Sequence, residues 1–374
     1  MTKAPGPFRD RLRLPRFGQR GTTGAAIPAE LAFEEVVQVY GGVRALDGVS
    51  LAIAPGELVC LLGHSGCGKT TLLRVAAGVD RPSAGRVLLD RREVSGEGAF
   101  VPPERRGVGL MFQDYALFPH LTILENVTFG LRALPARDGE IAARRALARV
   151  GLERQALDYP HMLSGGEQQR VALARSIAPR PGVLLMDEPF SNLDRRLRDA
   201  VRDETVAILR ETGATTIVVT HDPEEAMRIA DRIVLMRAGS IVQEGPAEDL
   251  YRRPVDLFAA RFFCDFNEVE GVVRGGRVST PVGIFPAPGL ADGAQAVACI
   301  RPQGVRIRAP GFCLPGRVAS RRFLGEVDLV HVAVQGLERP LQARTREAYR
   351  PGEGEDVGVD LDSDEVLVFA VSSP

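Results

Sequence analysis

Two textures divide the chain. From Leu31 to Phe263, short continuous apolar or β-branched runs alternate with stretches of helical period, and after about Asp265 the helical period is lost. The runs at 57–62, 183–186 and 215–220 carry apolar residues at consecutive positions, the pattern of parallel strands buried on both faces. Between the first two, Ala143, Ala146, Leu147 and Val150 recur at helical spacing while Arg144, Arg145 and Arg149 fill the other faces. That predicts a helical subdomain, over about 113–180, inside an α/β domain spanning 31–263. Downstream, an alternating run at Val327–Val334 and Gly/Pro clusters at 275–276, 286–289 and 351–352 predict a small all-β domain of barrel type over 264–374.

The 374 residues are 45% hydrophobic and 25% charged, enough to bury a full core in about two domains. A formal net charge of -1 gives no global pull toward nucleic acid. The first stretch differs, because up to about Pro28 Lys3, Arg9, Arg11, Arg13, Arg16 and Arg20 face the single acid Asp10 among many Gly and Pro, which reads as a disordered basic extension, taken as 1–30. It has no apolar core of a secretory signal, and nowhere does an apolar run reach bilayer length. Cys60, Cys67, Cys264, Cys299 and Cys313 show no C-x-x-C pair, as in reduced cytosolic proteins.

The candidate chemistry begins directly after the first buried strand. Gly63, His64, Ser65, Gly66, Cys67, Gly68, Lys69 and Thr70 fit G-x-x-x-x-G-K-[ST] and open a helical run. Glycines let successive backbone N–H groups turn onto phosphate oxygens, and the helix N-terminus adds partial positive charge. Lys69 is positioned for the β- and γ-phosphates of ATP, the Thr70 hydroxyl for magnesium (Mg2+), and Thr71 for the α-phosphate. The strand at 183–186 ends in Asp187 and Glu188. Asp187 is expected to hold magnesium and Glu188 to take the proton of an attacking water.

Leu163–Arg170 has two readings. Ser164 and Glu167 make an S-x-x-E capping box, yet Gly165 and Gly166 are not needed by a cap and permit close approach of a phosphate to the helix N-terminus. One phosphate loop and a second phosphate-binding turn in the same chain suggest a dimer in which each turn closes over the partner's nucleotide.

The loop, the acidic strand and the Leu-Ser-Gly-Gly octet, in this order over about 33–263, resemble the nucleotide-binding subunit of an ABC transporter. The resemblance implies a P-loop ABC ATPase with two bound ATP between two copies of the chain. It makes Ser164, Gly165, Gly166 and Gln168 a site for the opposite subunit's nucleotide. Gln113 matches the loop residue that touches magnesium and passes movement to a membrane partner, His221 the histidine that holds the γ-phosphate, and Tyr40 the aromatic that stacks on adenine. Ser191–Asp194 resembles the stretch that crosses the dimer interface, with Asn192 in place of the commoner alanine.

The tail, with Ile300-Arg301-Pro302, Val305-Arg306-Ile307 and Arg322-Phe323-Leu324-Gly325, is similar to the transport-associated OB-fold domain of importer ATPases. Gln303 stands where an acid is commoner. These likenesses imply a peripheral ATPase on the cytoplasmic face of the inner membrane, working with two membrane-spanning permease subunits and, indirectly, an extracytoplasmic solute-binding protein. Ferric iron is the preferred cargo, with polyamine, thiamine and phosphonate as alternatives. A soluble ABC-type ATPase acting on nucleic acid or ribosomes is a different reading, as is a sensor or enzyme tail switched by the ATPase. The few aromatics and the lack of a basic run in the tail argue against nucleic acid.

Overall fold

This computed structural model describes residues 26–191, 193–311, 314–347 and 349–371, with backbone alone at 195–197. The basic extension up to residue 25, Asn192 and Cys313 lie outside the described residues. The chain forms two compact units that divide between Leu250 and Tyr251. This division precedes the boundary read at 263, so the helix Leu257–Phe263 joins the β-rich unit. The cause is side-chain anchoring, which periodicity does not register. Arg261 of that helix pairs with Glu268, the Tyr251 hydroxyl accepts from Gln303 at 2.9 Å, and the Tyr251 carbonyl accepts from Arg301.

The first unit is built on a six-stranded sheet in the order Ser240–Gly245, Arg232–Arg237, Leu58–Leu62, Thr215–Thr220, Val183–Asp187, Val108–Met111. All neighbours run parallel except the edge pair Ser240–Gly245 and Arg232–Arg237. The three strands expected from continuous apolar runs are therefore adjacent in its centre, and all residues of Leu58–Leu62 and Thr215–Thr220 are buried. Parallel pairing brings the ends of Leu58–Leu62, Val183–Asp187, Thr215–Thr220 and Val108–Met111 to one edge. The segments beginning at Gly63, Glu188, His221 and Phe112 thus leave the sheet side by side, the usual place for a ligand in such sheets.

A four-stranded antiparallel sheet, in the order Val43–Ile53, Leu31–Tyr40, Ala84–Leu89, Arg92–Ser95, completes the unit. One hydrophobic cluster joins Phe33, Val36 and Val87 of this sheet, Leu72 and Leu73 of the helix Lys69–Ala77, and Leu61, Leu185 and Val219 of the larger sheet. The helix ends at Gly78, whose φ of +81° suits a residue without Cβ. Arg106 closes that end, donating to Val75 O at 2.8 Å, Ala76 O at 2.9 Å, Val94 O at 3.1 Å and Val101 O at 2.6 Å. A Cβ on Gly78 would lie 2.3 Å from the Arg106 Nε. Burial pulls the Arg106 pKa down to about 10, so its charge is retained at neutral pH.

The helical insert follows the sequence pattern. Ala143, Ala146 and Leu147 of the helix Ala136–Arg149 are buried, as is Val150 just beyond it. The helices Ile123–Thr128 and Gly165–Ile177 pack with it.

The second unit consists of two five-stranded antiparallel sheets around one core. In the strand Asp328–Val334 the buried face carries Asp328, Val330, Val332 and Val334. A carboxylate sits at the core end of that face because Arg321 bonds both of its oxygens, at 3.2 and 3.1 Å. Asn267 ties the two sheets, donating to Gln342 O at 2.9 Å and accepting from Gln342 N at 2.6 Å.

Candidate functional site

The loop at 63–70 passes from the buried strand straight into the helix Lys69–Ala77. Its glycines are required by geometry at two points. A Cβ on Gly63 would lie 2.5 Å from Met236 O, and one on Gly68 would lie 2.4 Å from Ala45 O. Gly66 has φ of +81° with nothing within 4 Å of where a side chain would project, so the backbone there faces open space. His64, Ser65 and Thr70 are exposed, and Thr71 is half-buried. Lys69 is folded beneath the loop, donating to Gly63 O at 2.7 Å and His64 O at 3.0 Å, with Cys67 Sγ 3.7 Å away. A phosphate seated on the loop would replace carbonyls with charged oxygens as partners of that ammonium, a stronger class of bond.

Thr70 donates from Oγ1 to Asp187 Oδ1 at 3.2 Å. Burial is the main cause that raises the Asp187 pKa, opposed by the Thr70 bond and reinforced by the neighbouring Glu188. The Thr70 hydroxyl and the Asp187 carboxylate are hard oxygen donors, and Gln113, which reaches the adjacent Glu188, carries an amide oxygen. Such a set suits a small divalent cation whose charge would offset the cost of keeping Asp187 ionised.

Glu188 occupies a left-handed turn, φ 44°, held by Glu188 N donating to Val219 O at 3.0 Å and by Ser191, whose N and Oγ reach Glu188 O at 3.2 and 3.0 Å. Its Oε2 is shared, with His221 Nδ1 at 3.3 Å and Gln113 Nε2 at 3.5 Å. Three elements separated along the chain therefore converge on one carboxylate oxygen. His221 follows the strand Thr215–Thr220 directly and precedes the helix Pro223–Ile229, whose N-cap is Asp222. A carboxylate beside an imidazole and an amide can order a water and accept its proton.

Tyr40 is 45% exposed, and its hydroxyl donates to Asp80 Oδ2 at 2.5 Å. Asp80 also accepts from Arg74 Nε at 2.7 Å, and Arg74 belongs to the helix that starts at Lys69. Nothing local in the sequence marks Asp80 or Arg74 as supports of the tyrosine, since 40 positions separate Tyr40 from Asp80.

Ser164, Gly165, Gly166 and Gln168 open the helix Gly165–Ile177. Ser164 and Glu167 form the expected capping box, in which the Glu167 carboxylate accepts from Ser164 N at 2.9 Å and from Ser164 Oγ at 2.6 Å. These bonds keep the Glu167 carboxyl below its ordinary pKa. Gln168 Nε2 donates to Pro160 O at 3.0 Å and Leu163 O at 3.1 Å, so its amide braces the turn itself. A Cβ on Gly166 would make only ordinary contacts, at 3.7 Å and beyond. The packing of this chain alone does not demand glycine there.

Strand, glycine loop, buried lysine and acidic strand end define a P-loop nucleotide-binding ATPase. Comparison with known proteins sharpens that class. The ABC transporter family pattern matches residues 46–191, and the TOBE domain pattern matches 298–369. The Fe(3+) ions import ATP-binding protein FbpC of Streptomyces coelicolor is 43% identical over 92% of this chain and 98% of its own. The putrescine transport ATP-binding protein PotG of Escherichia coli is 37% identical over 93% of this chain and 97% of its own. Among solved structures, MJ0796, a bacterial ABC transporter cassette seen as a dimer, superposes with a TM-score of 0.52 at 33% identity over 58% of this chain and 98% of that one. The same cassette has been seen bound to ADP and Pi, with a TM-score of 0.53 at 32% identity and the same coverage. The chain thus belongs to the ATP-binding proteins of ABC transporters, with a C-terminal TOBE domain, and it binds ATP and couples its hydrolysis to transport.

Proposed function

We propose that the chain is the ATPase of an importer for ferric iron, acting as a homodimer on the cytoplasmic face of the plasma membrane beneath two permease subunits. The observation that carries its catalytic part is the convergence of Gln113 and His221 on Glu188, beside the Thr70–Asp187 pair. In this reading Gly63–Thr71 cradles the phosphates, and Tyr40 stacks on the adenine. Thr70, Asp187 and Gln113 would hold magnesium, which when bound offsets the phosphate charge. Glu188 takes the proton of the attacking water, and His221 holds the γ-phosphate. Ser164, Gly165 and Gly166 meet the nucleotide of the second copy, a role favoured by a glycine at 166 that this chain's own packing does not need. Gln113 passes closure to the permease. No helix among the described residues is long and apolar enough to cross a membrane, which suits a subunit attached to separate spanning chains. A solute-binding protein would deliver the cargo from outside.

Ferric iron is preferred because relatives named for Fe(3+) import align over nearly the whole chain. Putrescine transport is the second reading, favoured by the comparable coverage of PotG. Uptake of labelled ferric iron, putrescine, sulfate, thiamine and a phosphonate is measured in source cells whose only copy carries Glu188→Gln. Selective loss of iron uptake supports the proposal. Selective loss of another uptake reassigns the cargo, and persistence of all five removes the catalytic role given to Glu188 or the panel's cargo.

A further inference from the structure

Tyr115 and Ala116 lie just beyond Gln113, and both adopt left-handed backbone, φ 62° and 44°. Neither is a glycine, and side chains disfavour this region. Their turn is held from outside. Arg175, in the last turn of the helix Gly165–Ile177, donates from Nη2 to Tyr115 O at 2.6 Å and from Nη1 to Ala116 O at 2.7 Å. The planar fork of a guanidinium matches two successive carbonyls aimed the same way, which an ammonium cannot do. The Arg175 guanidinium also lies 5.7 Å from the Phe118 ring centroid, and burial lowers its pKa.

The rest of the loop is pinned as well. Asn126, fully buried, accepts from Phe118 N at 2.8 Å and donates to the carbonyls of Phe118, Leu121 and Thr122. At its other end Gln113 reaches Glu188 Oε2 at 3.5 Å. The loop is therefore a strap from the acidic strand end to the helix whose N-terminus is Ser164–Gly166, and Arg175 is its attachment to that helix.

We propose that Arg175 is a positioning residue that sets the place of Gln113, acting through the strained carbonyls of Tyr115 and Ala116. It makes the Gln113 loop and the Ser164–Gly166 helix shift together. The inference rests on the role given to Gln113 above. Without the fork, the turn relaxes toward right-handed backbone and Gln113 leaves Glu188.

The test uses the full chain reconstituted with its permease subunits in lipid vesicles. Wild type, Gln113→Ala, Arg175→Met and the double variant are compared in ATPase kcat and KM and in thermal stability. Arg175→Met is expected to lower kcat about tenfold or more while KM for ATP stays within about threefold. In the Gln113→Ala background the same change has little further effect, because both act on one contact. Adding Ala116→Gly to Arg175→Met restores about threefold or more of kcat, since glycine removes the side-chain penalty at one of the two left-handed positions. Additive losses, or no rescue by glycine, overturn the role of Arg175 while leaving Gln113 in place. A silent Gln113→Ala overturns the reading of Gln113 and this inference together. If Arg175→Met does not fold, Arg175→Lys replaces it, with a smaller loss and the same rescue expected.

Discussion

Tyr40 donates its hydroxyl proton to Asp80, and Asp80 is gripped in turn by Arg74 of the phosphate-loop helix. The aromatic proposed to carry the adenine is thereby tied to the element that carries the phosphates. Asp80→Ala, which removes the shared partner of the Tyr40 hydroxyl and of Arg74, is expected to weaken ATP binding about fivefold, with kcat within about twofold. Tyr40→Phe should match it, and the double variant should be no worse than either. Calorimetric titration of the full chain with ATP reads this directly. Equal affinity in Asp80→Ala would remove the link.

Glu188→Gln keeps size and hydrogen bonding but cannot take a proton. Its kcat is expected to fall by about 10²-fold or more, with ATP binding retained. Single-turnover measurement of phosphate release checks this, and residual turnover near the wild-type rate would move the base elsewhere.

Asp187 has its pKa raised chiefly by burial. For an acid whose folded pKa exceeds the unfolded one, stability falls as pH rises from the unfolded value through the folded one and stays low above it. Asp187→Asn is therefore expected to raise the melting temperature at pH 7 in the absence of nucleotide, while hydrolysis is lost. A lower melting temperature would contradict the burial argument.

Glu225 is buried one helical turn beyond His221, accepting from Thr220 Oγ1 at 3.2 Å, with burial pushing its pKa up to about 7. By the same sign, wild-type stability declines between pH 4.5 and about 7 on account of this group, by about 3 kcal/mol at most. Glu225→Gln should flatten that part of the profile. Urea titrations at several pH values test it, and an unchanged slope would place the titration on other groups.

Cys67 is 6% exposed, with its sulfur 3.7 Å from Lys69 Nζ. Any adduct there must displace the lysine or the loop. Alkylation is expected to be slow, to be hindered by ATP, and to block ATP binding once complete. Full activity after stoichiometric modification would sink the idea.

The phosphate loop was legible because its chemistry is contiguous, and the central strands because burial on both faces leaves an unbroken apolar run. The helical insert was legible for a different reason, because burial of one face sets Ala143, Ala146, Leu147 and Val150 at helical spacing. What escaped the sequence depends on distant side chains. Arg175 and Tyr115 are 60 positions apart, and no periodicity joins them. The division at Leu250 was missed because Tyr251 is held by Arg301 and Gln303, far along the chain. In the strand Asp328–Val334 alternation alone did not say which face is inner, and the face that buries Val330, Val332 and Val334 also takes in an aspartate, which Arg321 and Arg350 neutralise.

Arg106 gives the phosphate-loop helix a second anchorage. Its guanidinium joins the helix end at Val75 and Ala76 to Val94 and Val101, beside the antiparallel sheet. A helix gripped at one end by a nucleotide and at the other by an arginine behaves as a rigid lever. In the proposed reading, in which Tyr40 carries the adenine, a displacement of the phosphates would reach the sheet bearing Tyr40 through this helix, so that both ends of one ATP molecule would be sensed by one element.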